Sequence, residues 1–128
     1  MKVVLDTQAF LWFLVGDARL SHEAREAIEN DANERLLSIA STWEMAIKAS
    51  LGKLTLAQPL AAMLREQLRA NGVALLPLTL DHVEIVAGMP FHHRDPFDRI
   101  IVAQSLHERA PLVTADAILE RYGIERIW

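Results

Sequence analysis

Short apolar runs alternate along the chain with segments in which apolar residues recur every three to four positions. The run from Lys2 to Leu5, rich in β-branched residues, predicts a first strand that ends at Asp6. Four further strands are predicted over residues 36–39, 73–76, 112–114 and 124–128. Segments with helical spacing separate these runs, so the predicted order of elements is β-α-α-β-α-α-β-α-α-β-α-β.

Capping residues, prolines and glycines mark the predicted helix ends. Residues 41–44 (Ser-Thr-Trp-Glu) read as a capping box, which starts a helix over about Thr42 to Leu51 that ends at Gly52. Asp95 as N-cap and Pro96 at the first helical position start a helix that runs through Glu108. The other helices are predicted to follow Asp6, to follow Ser21, to lie between Pro59 and Gly72, to follow Thr79 and to cover about residues 118–122.

Strands that alternate with helices predict an α/β fold with a mainly parallel sheet covered on both faces, because parallel strands need crossover connections. The 128 residues have a mass of 14.4 kDa. At this size about two-thirds of the extended surface is buried on folding. We therefore expect one domain over residues 1–128.

Composition excludes several classes of protein. Thirteen Lys and Arg against seventeen Asp and Glu give a net charge of −4, so any phosphate-binding surface must be a local patch. The absence of Cys excludes disulfides, thiolate zinc sites and a cysteine nucleophile. The apolar stretch at residues 9–15 is far shorter than the roughly 20 residues of a membrane span, and it lacks a signal-peptide cleavage site. We expect a cytoplasmic protein without a membrane partner.

Four acidic residues fall on one edge of the predicted sheet. Asp6 ends the first strand, Glu44 and Asp98 lie in first helical turns, and Asp116 follows Thr114. The carboxyl ends of parallel strands meet at the edge where open α/β folds place their sites. Each acid also has an ordinary structural interpretation: Glu44 and Asp98 as acids that favour a helix N-terminus, and Asp6 and Asp116 as turn residues.

Convergence of the four acids favours a metal site. Two unit charges about 5 Å apart repel by roughly 3 kcal/mol at an effective dielectric near 20, so a bare cluster is costly. Sites built from carboxylate oxygens suit Mg²⁺ or Mn²⁺, which can activate water for attack on a phosphodiester. The cluster therefore predicts hydrolysis of a phosphodiester bond.

Other functions remain open at this stage. A metal-free ribonuclease could use His92 and His93 as acid and base, although adjacent residues seldom point into one site. A small Mg²⁺-dependent phosphatase is disfavoured by Gln8, which stands where the phosphatase pattern has a second acid. A catalytically inactive domain that binds protein or RNA would keep the acids only as caps.

The motifs together resemble those of the PIN-domain nucleases, and in particular the VapC-type toxins of bacterial toxin–antitoxin pairs. They extend over essentially the whole chain, in order. The matching segments are Leu5-Asp6-Thr7, Ser41-Thr42-Trp43-Glu44 with Ile47-Lys48 and Gly52-Lys53-Leu54, His93-Arg94-Asp95-Pro96-Phe97-Asp98-Arg99, and Leu112-Val113-Thr114-Ala115-Asp116.

The resemblance implies a three-layer α/β/α sandwich around a short, mainly parallel sheet of about five strands. It implies a Mg²⁺- or Mn²⁺-dependent endoribonuclease whose catalytic and metal-binding residues are Asp6, Glu44, Asp98 and Asp116. In that assignment Asp6 and Asp98 are the principal ligands, Glu44 is a ligand or positions water, and Asp116 supports them. Asp95 is interpreted as a helix cap. Close relatives often have His where this chain has Gln8, which leaves one substrate or antitoxin contact open.

We expect the contacts to substrate and to protein partners to lie beside the acidic edge. The expected contacts to RNA are Thr7, Lys48, Arg94, Arg99 and Thr114, with Lys53 a further basic candidate. The family pattern also implies a homodimer and an antitoxin segment that lies across the active groove. The first helix is so apolar, with Phe10, Trp12, Phe13 and Leu14, that we expect part of it to face a partner and at least two of these side chains to pack in the core.

Overall fold

A five-stranded, all-parallel sheet forms the middle layer of the protein in a computed structural model that describes residues 1–128. The strand order is β3-β2-β1-β4-β5. The strands are β1 (Lys2–Leu5), β2 (Glu34–Ser38), β3 (Val73–Leu76), β4 (Leu112–Val113) and β5 (Arg126–Ile127). This confirms the predicted α/β class and the parallel sheet, with β4 and β5 shorter than expected.

Six α-helices and one 3₁₀ helix cover the two faces of the sheet, in the predicted order. They are α1 (Thr7–Val15), α2 (His22–Glu29), α3 (Ile39–Ser50), α4 (Leu60–Asn71), α5 (Leu80–Gly88), α6 (Pro96–Glu108) and the 3₁₀ helix (Ala117–Tyr122). None of these helices has the length and apolar character needed to cross a membrane.

Alternation along the strands divides the core into two clusters. Val3 and Leu5 face a cluster with residues of α1 to α4, whereas Val4 faces the opposite cluster with residues of α6 and the 3₁₀ helix. All three side chains are fully buried. Burial of each such side chain stabilises the fold by about 1.5–3 kcal/mol, so the central strand is held from both sides. The residues that follow β1 are therefore held in place.

The start of α3 differs from the prediction. Its N-cap is Ser38, whose Oγ accepts a hydrogen bond from the Ala40 amide at 3.0 Å. Ser41 is the third residue of the helix, and its Oγ accepts a buried hydrogen bond from Thr7 Oγ1 at 2.8 Å. The predicted capping box at Ser41 is therefore wrong, because β2 passes directly into the helix. Glu44 lies in the second turn of α3, too far from the helix start to cap it.

The other helix ends follow local sequence signals. Ser21 Oγ accepts from the Ala24 amide, and Asp95 Oδ1 accepts from the amides of Phe97 and Asp98. Asp95 is thus a cap, as predicted. Gly72 ends α4 in the left-handed conformation that glycine adopts without a Cβ penalty, with φ of +63°.

The apolar side chains of α1 are less available than expected. Phe10 is fully buried, and Trp12, Phe13 and Leu14 are half-buried against the same core cluster. More exposed apolar side chains lie on α3, on α5 and in the loop before α6: Trp43, Leu80, Val83 and Phe91. A partner that binds apolar surface would therefore bury more exposed area at these four side chains than at Trp12, Phe13 and Leu14 of α1.

We predict that Ser38→Ala lowers the free energy of unfolding by about 1 kcal/mol, because the Ala40 amide loses its cap. Urea denaturation measures the change. The control is Thr42→Ala, which removes a hydroxyl bonded to the Ile39 carbonyl within the helix and should change stability by less than about 0.5 kcal/mol. Equal losses in the two variants would contradict Ser38 as the start of α3.

Candidate active site

The acidic residues meet where the chain order of the sheet reverses. Asp6 directly follows β1 and Thr114 directly follows β4, its neighbour in the sheet. Such a reversal leaves a crevice at the carboxyl ends of the strands. Asp98 enters this edge from the first turn of α6, and Asp116 is the N-cap of the 3₁₀ helix. The predicted edge of the sheet therefore carries Asp6 at the end of a strand, and Asp98 and Asp116 at the starts of helices.

Asp6 is held in an environment that disfavours its charge. Its Oδ2 accepts a hydrogen bond from Thr114 Oγ1 at 2.9 Å. Burial, followed by the charge of Asp98, raises the pKa of Asp6 to about 7; Glu44 raises it further, while the hydrogen bond from Thr114 opposes the shift. Asp6, Glu44 and Asp98 thus lie close enough to repel one another.

Asp98 is perturbed in the same direction. Burial and the charge of Asp95 raise the pKa of Asp98 to about 6, with a smaller contribution from Glu44. A hydrogen bond to His93 opposes the shift. The helix cap Asp95 is therefore also part of the electrostatic environment of the site.

His93 bridges two of the acids. Its Nε2 lies 2.7 Å from Asp98 Oδ2 and 3.5 Å from Asp116 Oδ2. The three atoms that could ligate a metal all fall within 4.8 Å of one another. The Arg94 amide donates to His93 Nδ1 at 3.0 Å, so the ring proton lies on Nε2 and points at the carboxylates. The sequence did not predict this arrangement: it indicated His93 as one of a possible metal-free pair and as part of the matching segment at residues 93–99.

The two adjacent histidines do not form one catalytic pair. The ring of His92 packs edge-to-face on Tyr122, with 5.0 Å between centroids, whereas His93 turns toward the acids. The metal-free interpretation needs both imidazoles at one reacting group. The sequence signals that place His93 near Asp98 were its position in the short loop just before α6 and its membership of the matching segment at residues 93–99.

Glu44 indicates that the site can accept a cation. Its Oε2 lies 3.4 Å from Lys48 Nζ, but its Oε1 is buried without a hydrogen-bond partner. An unpartnered buried carboxylate oxygen is unfavourable, and a divalent cation would satisfy it while offsetting the repulsion at Asp6 and Asp98. Asp6, Glu44, Asp98 and Asp116 could therefore hold a divalent cation, with His93 beside Asp98 and Asp116.

Three of the residues predicted to contact RNA are buried in this structure. The side chain of Thr7 is buried and donates to Ser41, and that of Thr114 is buried and donates to Asp6. Arg99 is also buried, and its guanidinium donates to the Pro90 carbonyl at 2.8 Å and to Tyr122 Oη at 3.1 Å. These groups are already occupied within the protein and support the acids and the loop instead.

The other basic candidates face solvent. Arg94 and Lys53 are exposed, and Lys48 is partly exposed beside Glu44. Lys48 and Lys53 line one cleft of about 310 Å³ together with residues of α1, among them Gln8 and Trp12. Their contact with substrate stays a prediction.

Comparison with known proteins agrees with this architecture. The model of the PIN domain family matches residues 3–125. Two solved structures are similar over almost all of the chain. VapBC2 from Rickettsia felis, bound to a DNA fragment from its promoter, has a TM-score of 0.73 and 14% identity over 100% of both chains. VapBC-1 from nontypeable Haemophilus influenzae has a TM-score of 0.66 and 17% identity over 98% of this chain and 96% of that one. These similarities show the fold.

A similar sequence is that of Ribonuclease VapC16 from Mycobacterium tuberculosis. The two chains are 39% identical over 61 residues. The aligned segment covers 48% of this chain and 42% of that ribonuclease, so the chain spans less than half the length of the curated relative it matches.

The raised pKa values of Asp6 and Asp98 predict a stability that depends on pH. With chelator present, the folded state binds more protons than the unfolded state between about pH 4 and pH 7, so the free energy of unfolding should fall as pH rises through this range. At pH 7.5, Asp6→Asn should be more stable than the parent by about 1–3 kcal/mol, because it removes a disfavoured charge.

Urea denaturation across pH 4–8 measures both effects. The control Asp31→Asn removes a carboxylate that is 98% exposed, pairs with Arg35 at 3.5 Å and lies before β2, at the opposite ends of the strands from the acids. It should leave the pH slope unchanged. Because burial lowers the pKa of His82, which adds a slope of opposite sign, the decisive quantity is the difference between the parent and Asp6→Asn. A stability difference that does not change from pH 5 to pH 7 would contradict the electrostatic description of the site.

Proposed function

The chain belongs to the PIN domain family, and on this basis we propose that it is a Mg²⁺- or Mn²⁺-dependent endoribonuclease that acts as the toxin of a toxin–antitoxin pair. Its substrate is RNA, and cleavage is hydrolysis of an internal phosphodiester bond. We further propose that residues 1–128 form one nuclease domain and that it acts in the cytoplasm, where its substrate is found.

One observation carries this proposal: Asp6, Asp98 and Glu44 repel one another at the sheet crevice, and Glu44 Oε1 is buried there without a partner. A folded protein keeps such an unfavourable cluster when function needs it, and perturbed acids in a cleft are typical of catalytic sites. An inactive binding domain would have no use for these charges. Helix caps alone do not explain them either, because neither Asp6 nor Glu44 makes a cap hydrogen bond in this structure.

In the proposed mechanism Asp6, Glu44, Asp98 and Asp116 would hold the metal ion. When bound, Mg²⁺ or Mn²⁺ supplies charge stabilisation to the phosphodiester oxygens and lowers the pKa of the attacking water. Thr114 fixes one oxygen of Asp6, and His93 fixes one oxygen of Asp98, so these carboxylates do not have to be ordered when substrate arrives.

The remaining groups bind and orient the reactants. Glu44 Oε1, which has no protein partner, is placed to ligate the ion or to orient the attacking water. Lys48 and Arg94 provide positive charge beside the acids, and we assign them to phosphates that flank the cleaved bond. Because the chain carries a net charge of −4, these local cations matter for holding RNA.

Two protein partners belong to the proposal. The solved VapBC structures contain a toxin and its antitoxin, and we propose that this chain is likewise restrained by a cognate antitoxin.

We also propose a homodimer. The side chain of Trp43 is 63% exposed at the mouth of an apolar groove of about 400 Å³ that includes Phe97 and Leu78, a surface suited to a second copy of the chain.

The test of the activity is cleavage of total and structured RNA by the purified chain with Mn²⁺, Mg²⁺ or chelator. We expect internal cuts that need the metal, and a loss of about 100-fold or more in Asp98→Asn, which removes a proposed ligand. Asp31→Asn, prepared identically, controls for surface charge and for contaminating nuclease.

Each alternative function predicts a different result. Binding of the metal without any RNA cleavage by the parent would overturn the nuclease proposal in favour of a binding domain. Release of phosphate from monoesters without chain cleavage would indicate a phosphatase. Equal cleavage by the parent and by Asp98→Asn would mean that a contaminant cuts the RNA.

We predict a dimer in light scattering, with about twice the chain mass of 14.4 kDa at micromolar concentration. Trp43→Ser should shift the mass toward the monomer, because burial of a large aromatic side chain drives such an interface. The matched control is Val15→Ser, an exposed apolar residue at the end of α1. A dimer lost only in Val15→Ser would move the interface to α1, and a monomeric parent would contradict the homodimer.

A further inference from the structure

The hydroxyl of Tyr122 gathers hydrogen bonds from the loop that carries His93. It accepts from the His93 amide at 2.8 Å, from the His92 amide at 3.1 Å and from Arg99 Nη1 at 3.1 Å, and it lies 3.3 Å from the His93 carbonyl, to which it can donate. One phenol oxygen therefore lies within hydrogen-bond distance of two consecutive backbone amides and a buried guanidinium. This hydroxyl plays no part in the mechanism described so far.

We propose that Tyr122 is a positioning residue of the active site, whose hydroxyl fixes the backbone of His93 so that the imidazole holds Asp98 and Asp116 together. The inference rests on the proposed function, because it concerns the same carboxylates. Tyr122 itself contacts none of the acids in this structure; it acts through His93.

The position of Tyr122 in the chain supports this role. Tyr122 is the last residue of the 3₁₀ helix whose N-cap is Asp116, and Arg99 follows Asp98 directly in α6. The hydrogen bond between Tyr122 and Arg99 therefore joins the two segments that carry the acids bridged by His93. Through the two amides, the same oxygen also fixes the loop from which His93 extends.

Arg99 fixes the beginning of that loop. Its guanidinium is buried, donates to the carbonyls of Pro90 and Met89 at 2.8 and 3.4 Å, and lies 4.1 Å from the centroid of the Phe91 ring. Removal of the Tyr122 hydroxyl would leave two loop amides without this acceptor, and a loop segment beside the acids would lose its main anchor. The His93 ring would then be free to leave Asp98.

The chemical effect concerns how the metal would be held. Through Nε2, His93 fixes one oxygen of Asp98 at 2.7 Å and lies 3.5 Å from one oxygen of Asp116. Hydrogen-bond partners of ligating groups typically contribute 10–100-fold to metal affinity or activity. Tyr122, one residue further from the metal ligands than His93, should contribute toward the lower end of this range.

Tyr122→Phe tests the inference, because it keeps the ring that packs on His92 and removes only the hydroxyl. We expect Mn²⁺ affinity, measured by calorimetry on the purified chain without RNA, to fall about 10-fold. In RNA cleavage kcat should fall by about the same factor, with KM changed less than about two-fold. In ¹⁵N spectra, His93 should lose the signature of a single tautomer protonated at Nε2.

Two further variants separate positioning from a general structural role. His92→Gln alters the other ring on Tyr122 but touches no acid, and it should change Mn²⁺ affinity less than about two-fold. His93→Gln keeps an N–H donor near the position of Nε2 and should bind Mn²⁺ more tightly than His93→Ala. This pair also tests the inference if Tyr122→Phe does not fold, and equal affinity of His93→Ala and the parent would then overturn it.

The outcomes for the positioning role and for the nuclease are distinguishable. Mn²⁺ affinity and an Nε2–H tautomer both unchanged in Tyr122→Phe would overturn the role of Tyr122, whether or not the parent cuts RNA. A parent that binds Mn²⁺ in a Tyr122-dependent way but cuts no RNA would support the positioning role and overturn the proposed nuclease.

Discussion

Repulsion among carboxylates at one edge of the sheet is the constraint on which the rest of this structure depends. Asp6 and Asp98 are both held where burial and neighbouring acids disfavour their charges. Such an arrangement lowers the stability of the free protein at neutral pH, so the scaffold must supply the difference. It does so through two apolar clusters, one on each face of the sheet, that bury Val3, Val4 and Leu5 of β1 completely.

The protein compensates the acids only in part. Thr114 donates to Asp6, Lys48 lies beside Glu44, and His93 reaches Asp98 and Asp116. Thr114 and His93 each supply a hydrogen bond, and one oxygen of Glu44 receives no partner. Complete neutralisation by internal cations would leave no affinity for a metal ion, so incomplete compensation is what a metal-dependent site requires.

Sequence reasoning succeeded where structure is set by neighbours in the chain. Asp95 before Pro96 defined the start of α6, and the strand ahead of Asp6 defined its place at the sheet edge. It failed where two local choices competed, since either Ser38 or Ser41 could begin α3. It also failed for contacts distant in sequence: Tyr122 lies 29 residues from His93, and nothing in the charge of Arg99 showed that its guanidinium is buried. Sequence reasoning therefore identified the acids but not the groups that support them.

The balance of charge also links metal binding to RNA binding in the proposed function. The crevice presents four carboxylates to a phosphate backbone, and Arg94, Lys48 and Lys53 are too few to reverse that field on a chain of net charge −4. A phosphate can approach these acids closely only when a divalent ion offsets them. The same ion would then govern both cleavage and productive binding of RNA, and a protein that blocks the crevice could oppose both at once.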